Sequence, residues 1–279
     1  EEAQSITIGS RNSPLAMAQA HIVHDALEQA QQHPKERKFD PEQAFAPQAL
    51  HRFRISGVAT KGDKILDVAL AKIGDKGLFT KELEVALMHG DVSLVQHSLK
   101  DLETVMPADL ALGAVLKRED KRDALVSAAA NKFKSLADLP KGATVGTSSL
   151  RRRAQLAAAR PDLHIVDVRG NLNTRIAKLL GVHETSRVKY DALVLAAAGL
   201  VRLPNAKDVL RDVHIAPIDP QVMVPAVSQG AIGVQVRARD WGTQRLVQLA
   251  EDQETRAACD HERTFLRDIQ GGCQVPVAV

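Results

Sequence analysis

The run Gly146-Thr147-Ser148-Ser149-Leu150-Arg151-Arg152-Arg153 sets three arginines directly behind a small, hydroxyl-rich turn. The apolar residues before it predict a strand ending at Gly146, and Ser149 suits the cap of a following helix. A helix N-terminus offers unpaired backbone N–H groups and the positive end of the helix dipole. Cations in that first turn oppose the dipole at roughly 0.3–1 kcal/mol each. Their placement makes sense where a bound anion restores the balance; on spacing alone, a solvated basic face is the alternative. Two further turns repeat the theme. Gly9-Ser10-Arg11-Asn12-Ser13 precedes a predicted helix. In VRGNLNTR, residues 168–175, Arg169 ends a strand, Gly170 permits a tight turn and Arg175 falls early in the next helix. Three such turns point to a ligand bearing several carboxylates or phosphates, because the planar guanidinium fork binds either group bidentately. The GxxxxGK[ST] pattern is missing, which disfavours a P-loop nucleotide site.

Two other motifs could carry chemistry. HSLKDLE, residues 97–103, follows a predicted strand and gathers His97, Ser98, Lys100 and Asp101 where a sheet meets a crevice. Asp101 could act as a general acid or base, or stabilise a cation; it could equally cap a turn. GGCQVP, residues 271–276, places Cys273 on a Gly-Gly turn. A cysteine there is more accessible than one in an apolar element, and nucleophile, attachment point and inert thiol are all open. Cys259 falls within a predicted helix and reads as structural.

The elements that must position these residues alternate. Strands are predicted over 5–9, 52–59, 93–98, 111–116, 123–127, 143–146, 164–168 and 192–196, and helices over 149–160, 172–180, 241–250 and 254–268. Ser13-Pro14 opens a helix whose apolar stripe is Leu15, Ala18, Ile22, Val23 and Leu27. Thr80 caps a helix ending near Gly90. Residues 31–50 read as a loop, and the Gly/Lys segment 60–79 as a mobile one. Such alternation predicts doubly wound α/β architecture, whose ligand crevice lies at the strand C-terminal ends. TIGSRNSPLAMAQA and TVGTSSLRRRAQLA echo one another as strand, polar turn, helix; chance is the alternative to two similar lobes.

Composition bounds the partners. A length of 279 residues favours two or three domains. A net charge of +3 and 3% aromatic residues argue against nucleic acid. No apolar run reaches a membrane span, and EEAQSITIGS lacks the features of a signal peptide. Two cysteines form neither a disulfide framework nor a zinc quartet, so no metal and a cytoplasmic location are expected.

In order, SRNSPLAMAQ, KGDKILD, GDKGLFTKELE, HSLKD, VGTSSLRR, RGNLNTR, AVSQGAIGV and GGCQVP resemble the porphobilinogen deaminase (hydroxymethylbilane synthase) family over nearly the whole chain. The resemblance implies two doubly wound domains like the lobes of periplasmic binding proteins, plus a smaller, here shortened, α+β third domain. The expected boundaries are 1–116 with 229–248, then 117–228, then 249–279. It implies a monomeric transferase of haem and porphyrin biosynthesis that joins four porphobilinogen molecules and releases ammonia at each addition. A dipyrromethane cofactor would be joined by a thioether to Cys273. Loss of ammonia leaves an electron-poor, azafulvene-like cation, which Asp101 would stabilise beside Lys100. Cofactor contacts would come from Lys81, Ser98, Thr147, Ser148, Arg151, Arg152, Arg169, Gly170 and Gln229. Substrate contacts would come from Arg11, Ser13, Gln19, Arg175, Gly199 and Gly230, and segment 60–79 matches the family's lid.

The chain departs from the family pattern at three places. Glu103 stands where proline usually follows Lys-Asp-Leu; it loosens the loop and adds a negative charge near Asp101. Ser228 replaces the glycine of AVGQG and is expected to strain the hinge. Gln96 replaces an apolar residue before His97.

Overall fold

The computed structural model describes residues 5–32, 51–59, 80–184, 186–269 and 277–279. The loop expected at 31–50, from residue 33 on, the lid expected at 60–79, and Cys273 with its neighbours lie outside the described residues.

Two five-stranded sheets organise the chain. The first holds β1 (Ser5–Arg11), β2 (Arg52–Val58), β3 (Leu94–Ser98), β4 (Leu110–Val115) and β10 (Ile232–Arg237), in the order β2-β1-β3-β10-β4. The second holds β5 (Asp123–Ala128), β6 (Thr144–Gly146), β7 (His164–Val166), β8 (Ala192–Ala196) and β9 (Val213–Pro217), in the order β7-β6-β8-β5-β9. In the first sheet β1 runs parallel to β2 and β3, while β10 is antiparallel to both its neighbours. In the second, β6 runs parallel to β7 and β8, while β5 is antiparallel to both its neighbours. The two sheets therefore share one topology. The internal echo has a structural counterpart: its two copies are β1 and β6, each the second strand of its sheet, with the turn and helix that follow.

Eight helices accompany the sheets among the described residues: α1 (Pro14–Gln32), α2 (Lys81–His89), α3 (Leu150–Ala159), α4 (Leu172–Leu179), α5 (Ala197–Val201), α6 (Ala206–Val209), α7 (Trp241–Gln248) and α8 (Gln253–Asp268). Their starts follow local chemistry. Pro14 opens α1 while the Ala16 N–H donates to Ser13 Oγ at 3.3 Å; the missing N–H of proline costs nothing in that position. Asn171, Asp240 and Asp252 cap α4, α7 and α8 by accepting backbone N–H groups. Thr80 precedes α2 as expected, yet its side chain makes no capping bond, and Gly90 ends the helix in the left-handed conformation. On α1 the stripe is rotated from the expected one: Ala20, Val23 and Leu27 are buried, whereas Ile22 is 37% exposed.

Ile6, Ile8, Leu94, Ile232 and Val234 meet this α1 face in the first core. Leu125, Val145, Leu156 and Val194 centre one face of the second sheet, and Val126, Ile176, Leu193 and Leu195 the other. Each fully buried side chain of this size contributes about 1.5–3 kcal/mol. Layers on both faces make the sheets rigid platforms from which the turns project. Strands β9 and β10 and helices α5 and α6 were not expected; β10 lies in the AVSQGAIGV region, where glycine and small residues mask the strand pattern.

Candidate active site

Strand β3 ends at Ser98 and passes into a single 3-10 turn, Leu99–Asp101. Leu99 and Leu102 are buried with Val115, Ala231 and Cys259, which leaves Lys100 half-buried and Asp101 exposed. The turn is thus anchored by apolar residues on both sides of its polar pair. It borders a shallow recess whose walls include Arg11, Gln19, Thr80, His97, Ser98 and Asp101. Lys81 is exposed at the start of α2, next to Thr80. Ser98 Oγ donates to Gln19 Oε1 at 3.0 Å. Gln96 and Gln19 are hydrogen-bonded through their amides at 2.8 Å, and Ser10 Oγ lies 3.0 Å from the Gln96 amide. The polar residue that replaced an apolar one is therefore satisfied, as burial demands. Burial holds His97 neutral, its pKa lowered to about 4, against the opposing effect of its Gln235 bond and of Asp101. Burial also pushes the Lys100 ammonium below lysine's usual range, with Asp101 opposing.

The second sheet contributes the arginine turns. Ser149 caps α3, as expected, by accepting the Arg152 N–H. Arg151 and Arg152 do not project as an open basic face: they are 5% and 7% exposed and both turn onto Asp123. Arg151 Nη2 lies 2.7 Å from Asp123 Oδ2, and Arg152 Nη2 2.8 Å from Oδ1. Burial disfavours the Asp123 carboxylate, yet Arg152 and Arg151 outweigh it and hold its pKa below the usual range. The two arginines expected to meet an anionic ligand are thus also partnered within the fold, as buried charges require. One carboxylate against two guanidinium groups still leaves a positive excess. Arg153 pairs at the surface with Asp167, at 2.8 Å. The Ser149 N–H donates to Thr147 Oγ1, and Ser148 Oγ donates to the Val168 carbonyl at 2.8 Å.

Arg175 behaves differently. Its Nε donates to the Gly170 carbonyl at 2.8 Å, and no carboxylate lies within ion-pair distance of it among the described residues. Burial, then repulsion from Arg152 and Arg169, lowers its pKa to about 10, while Asp101 opposes. Gly170, at φ +108°, makes the tight turn possible; a Cβ there would come within 2.5 Å of Thr174 Cγ2. Lys178 Nζ steadies the same turn through the Arg169 carbonyl at 3.1 Å.

The two lobes meet over this region. A Cβ on Gly199 would lie 3.6 Å from Leu15 of α1 and 3.7 Å from Leu172 of α4. Gln229 is buried where the chain returns to the first sheet, and its Nε2 donates to Asp123 Oδ1 at 2.9 Å and to the Lys121 carbonyl at 2.8 Å. Gly230, at φ +91°, passes so near Glu119 that a Cβ would lie 2.5 Å from its carbonyl oxygen. Ser228, at φ +59°, sits in left-handed backbone, the strain expected of a residue replacing glycine. Arg118 grips Glu262 of α8 bidentately, at 2.6 and 3.0 Å, and donates to the Gln229 carbonyl at 2.8 Å.

Sequence reasoning missed Asp123 and Arg263. Asp123 opens an apolar strand, ALVSA, and a lone carboxylate there was the available signal. Nothing local marked Arg263 out from the other charges of α8. The donor set that the two lobes present, Arg11, Ser98, Arg169 and Arg175 with a surplus charge behind them, fits a ligand carrying several carboxylates.

A family model described as "Porphobilinogen deaminase, dipyromethane cofactor binding domain" matches residues 6–245. The porphobilinogen deaminase of Moorella thermoacetica is 50% identical over 273 residues, 98% of this chain and 77% of that protein. That of Synechococcus elongatus is 48% identical over 277 residues, 99% of this chain and 78% of that protein. The chain belongs to the porphobilinogen deaminase family. It is a transferase of tetrapyrrole biosynthesis that joins four porphobilinogen molecules head to tail with loss of ammonia, giving hydroxymethylbilane, and its cofactor is a dipyrromethane. The fold is also similar to a probable amino-acid ABC transporter extracellular-binding protein of Bacillus subtilis (TM-score 0.48, 12% identity, 95% of this chain and 97% of that one). A second similar structure is the VFT2 domain of Bordetella pertussis BvgS (TM-score 0.47, 14% identity, 93% and 92%). Among the described residues, no helix is long and apolar enough to cross a membrane.

Proposed function

We propose that the reaction is centred on Asp101, with Lys100 beside it, and that the arginines of the two lobes hold the carboxylates of cofactor and substrate. The observation that carries this reading is the recess at the end of β3, which Asp101 lines together with Arg11, Gln19, His97 and Ser98. A carboxylate in the wall of a recess that also holds a guanidinium suits a cationic pyrrole with acidic side chains. In this reading Arg11, Ser13, Gln19, Arg175, Gly199 and Gly230 border the substrate. Lys81, Ser98, Thr147, Ser148, Arg151, Arg152, Arg169, Gly170 and Gln229 border the cofactor, which is attached at Cys273. Arg151 and Arg152 act there through the surplus charge of the Asp123 cluster. The lobes divide at 1–116 with 229–248 and at 117–228, with 249–279 as the start of a third unit.

When bound, the dipyrromethane supplies the pyrrole to which the first substrate is joined. The residues of the chain do the rest. Arg175 and Arg169 orient the substrate's carboxylates, and Asp101 accepts the pyrrole N–H. As the aminomethyl C–N bond breaks and ammonia leaves, positive charge spreads into the substrate ring, and the nearby carboxylate stabilises it. A fixed carboxylate needs no reorganisation at that moment, which is why it serves better than solvent. Both halves of the site come from one chain, which supports a monomer. The modest charge and the two cysteines support a cytoplasmic enzyme without nucleic-acid or membrane partners.

Asp101→Asn tests this reading. Turnover should fall on the order of 10²–10⁴-fold, while intact mass still exceeds the polypeptide by one dipyrromethane. Cys273→Ser should lose that added mass. Turnover within threefold of the parent in the Asp101→Asn protein would sink the assignment of the centre; a mass unaffected by Cys273→Ser would sink the attachment.

A further inference from the structure

Helix α8 reaches back to the turn that carries Lys100 and Asp101. Arg263, 6% exposed on α8, spreads its guanidinium over three carbonyls, one at the start of that turn and two just past its end. Nη1 donates to the Leu102 carbonyl at 2.9 Å and, more weakly, to the Leu99 carbonyl at 3.4 Å. Nη2 donates to the Glu103 carbonyl at 2.6 Å. A three-residue 3-10 turn has almost no hydrogen bonds of its own; here the Leu102 N–H to Leu99 carbonyl bond, at 3.3 Å, closes it. The carbonyls that follow the turn, those of Leu102 and Glu103, take their donors from Arg263. Charge-assisted bonds from one planar group fix the position and orientation of the peptides that flank Lys100 and Asp101 on either side.

We propose that Arg263 is the positioning residue of the catalytic turn, setting where the Asp101 carboxylate stands in the recess. This rests on Asp101 being the reaction centre. Apolar packing of Leu99 and Leu102 buries the turn, but it is nondirectional and leaves the turn free to roll by tenths of an ångström. The guanidinium removes that freedom. Lysine cannot replace it fully, since a single ammonium cannot reach three carbonyls in one plane. The same helix holds Arg118 through Glu262. The catalytic turn and the crossing between lobes are therefore tied to one rigid rod.

The test uses cofactor-loaded protein carrying Arg263→Lys or Arg263→Met. Displacing a reacting group by about 1 Å costs on the order of 100-fold. The methionine variant should lose 10–100-fold in kcat with KM within about twofold, and with the dipyrromethane mass intact. The lysine variant should recover part of the loss. The acid limb of the kcat–pH profile should move in the methionine variant and return toward the parent's in the lysine variant, which a purely structural role would not produce. A parent-like kcat and pH profile in folded, loaded Arg263→Met overturns the proposal. If that variant does not fold, Arg263→Lys decides: unchanged kcat and pH profile overturn it equally. Failure of the underlying reading appears separately, as an active Asp101→Asn enzyme.

Discussion

Ser228→Gly should stabilise the protein. Ser228 is fully buried and its backbone is left-handed, at φ +59°. A residue with a Cβ loses about 1–2 kcal/mol in that conformation. Among the described residues the buried Ser228 hydroxyl has no nitrogen or oxygen partner. Its neighbour is the thiol of Cys259, a weak hydrogen-bonding group. A buried hydroxyl with only a thiol for a partner costs up to a further 1–3 kcal/mol or so. Glycine relieves both. Against this stand roughly 0.5–1 kcal/mol of added chain entropy in the unfolded state and about 1 kcal/mol for a methyl-sized void. The net is about 1–2 kcal/mol in favour of glycine. The Ser228 N–H bond to Glu262, at 2.6 Å, belongs to the backbone and survives. For a chain of this length the gain corresponds to a Tm higher by roughly 2–6 °C, measured on loaded parent and variant at one scan rate. Ser228→Ala separates the contributions, because it removes the hydroxyl and keeps the strained backbone. It should gain less than glycine. An alanine variant as stable as the glycine variant, or a glycine variant no more stable than the parent, would refute the strain argument.

Two further predictions concern the catalytic strand and turn. His97 is kept neutral by burial, with a folded-state pKa of about 4 against 6.5 in the unfolded chain; below pH 6.5 the unfolded state binds the proton and the folded state does not. Stability should therefore fall as pH drops from 6.5 towards 4, by about 2 kcal/mol between pH 7.5 and 5, and denaturant titrations of His97→Gln should show a fall smaller by that amount; equal slopes would exclude His97 as the source. Glu103→Pro should raise turnover severalfold, because Leu102 already has the extended backbone that a residue before proline requires (φ −85°, ψ 129°), and the Glu103 carbonyl that Arg263 holds is retained; steady-state kcat equal to or below the parent's would count against it.

The parts legible in the sequence are those with short-range causes. The turn residues Ser13-Pro14 and Ser149 and the βαβ alternation placed most strands and helices within a residue or two. The three arginine turns were found because each lies in a contiguous motif at the end of a strand. What stayed hidden depends on contacts distant along the chain. Asp123 reaches Arg151 and Arg152, 28 and 29 residues on, and Arg263 reaches the Leu102 carbonyl 161 residues back. No local pattern carries such information. The pairing of Arg151 and Arg152 with Asp123 stayed hidden for the same reason: spacing set them on the first turn of a helix, but only the fold could show that the turn faces a buried carboxylate.

That pairing bears on how the proposed site divides its work. A chain that lengthens by one pyrrole at a time brings new carboxylates at each step, and each needs a cation at a different place. Arginines already committed to Asp123 are fixed in position and lose little by meeting a further anion only at a distance. Their contribution is a constant positive background. Arg175 has given up no such freedom: its partner is a carbonyl, and burial with neighbouring cations has left it short of negative charge. It gains most from each arriving carboxylate, so occupancy of the site should be felt first at Arg175. Fixed charge at α3, responsive charge at α4 and a rigidly held carboxylate on the opposite lobe make a site in which the ligand moves and the reaction centre does not.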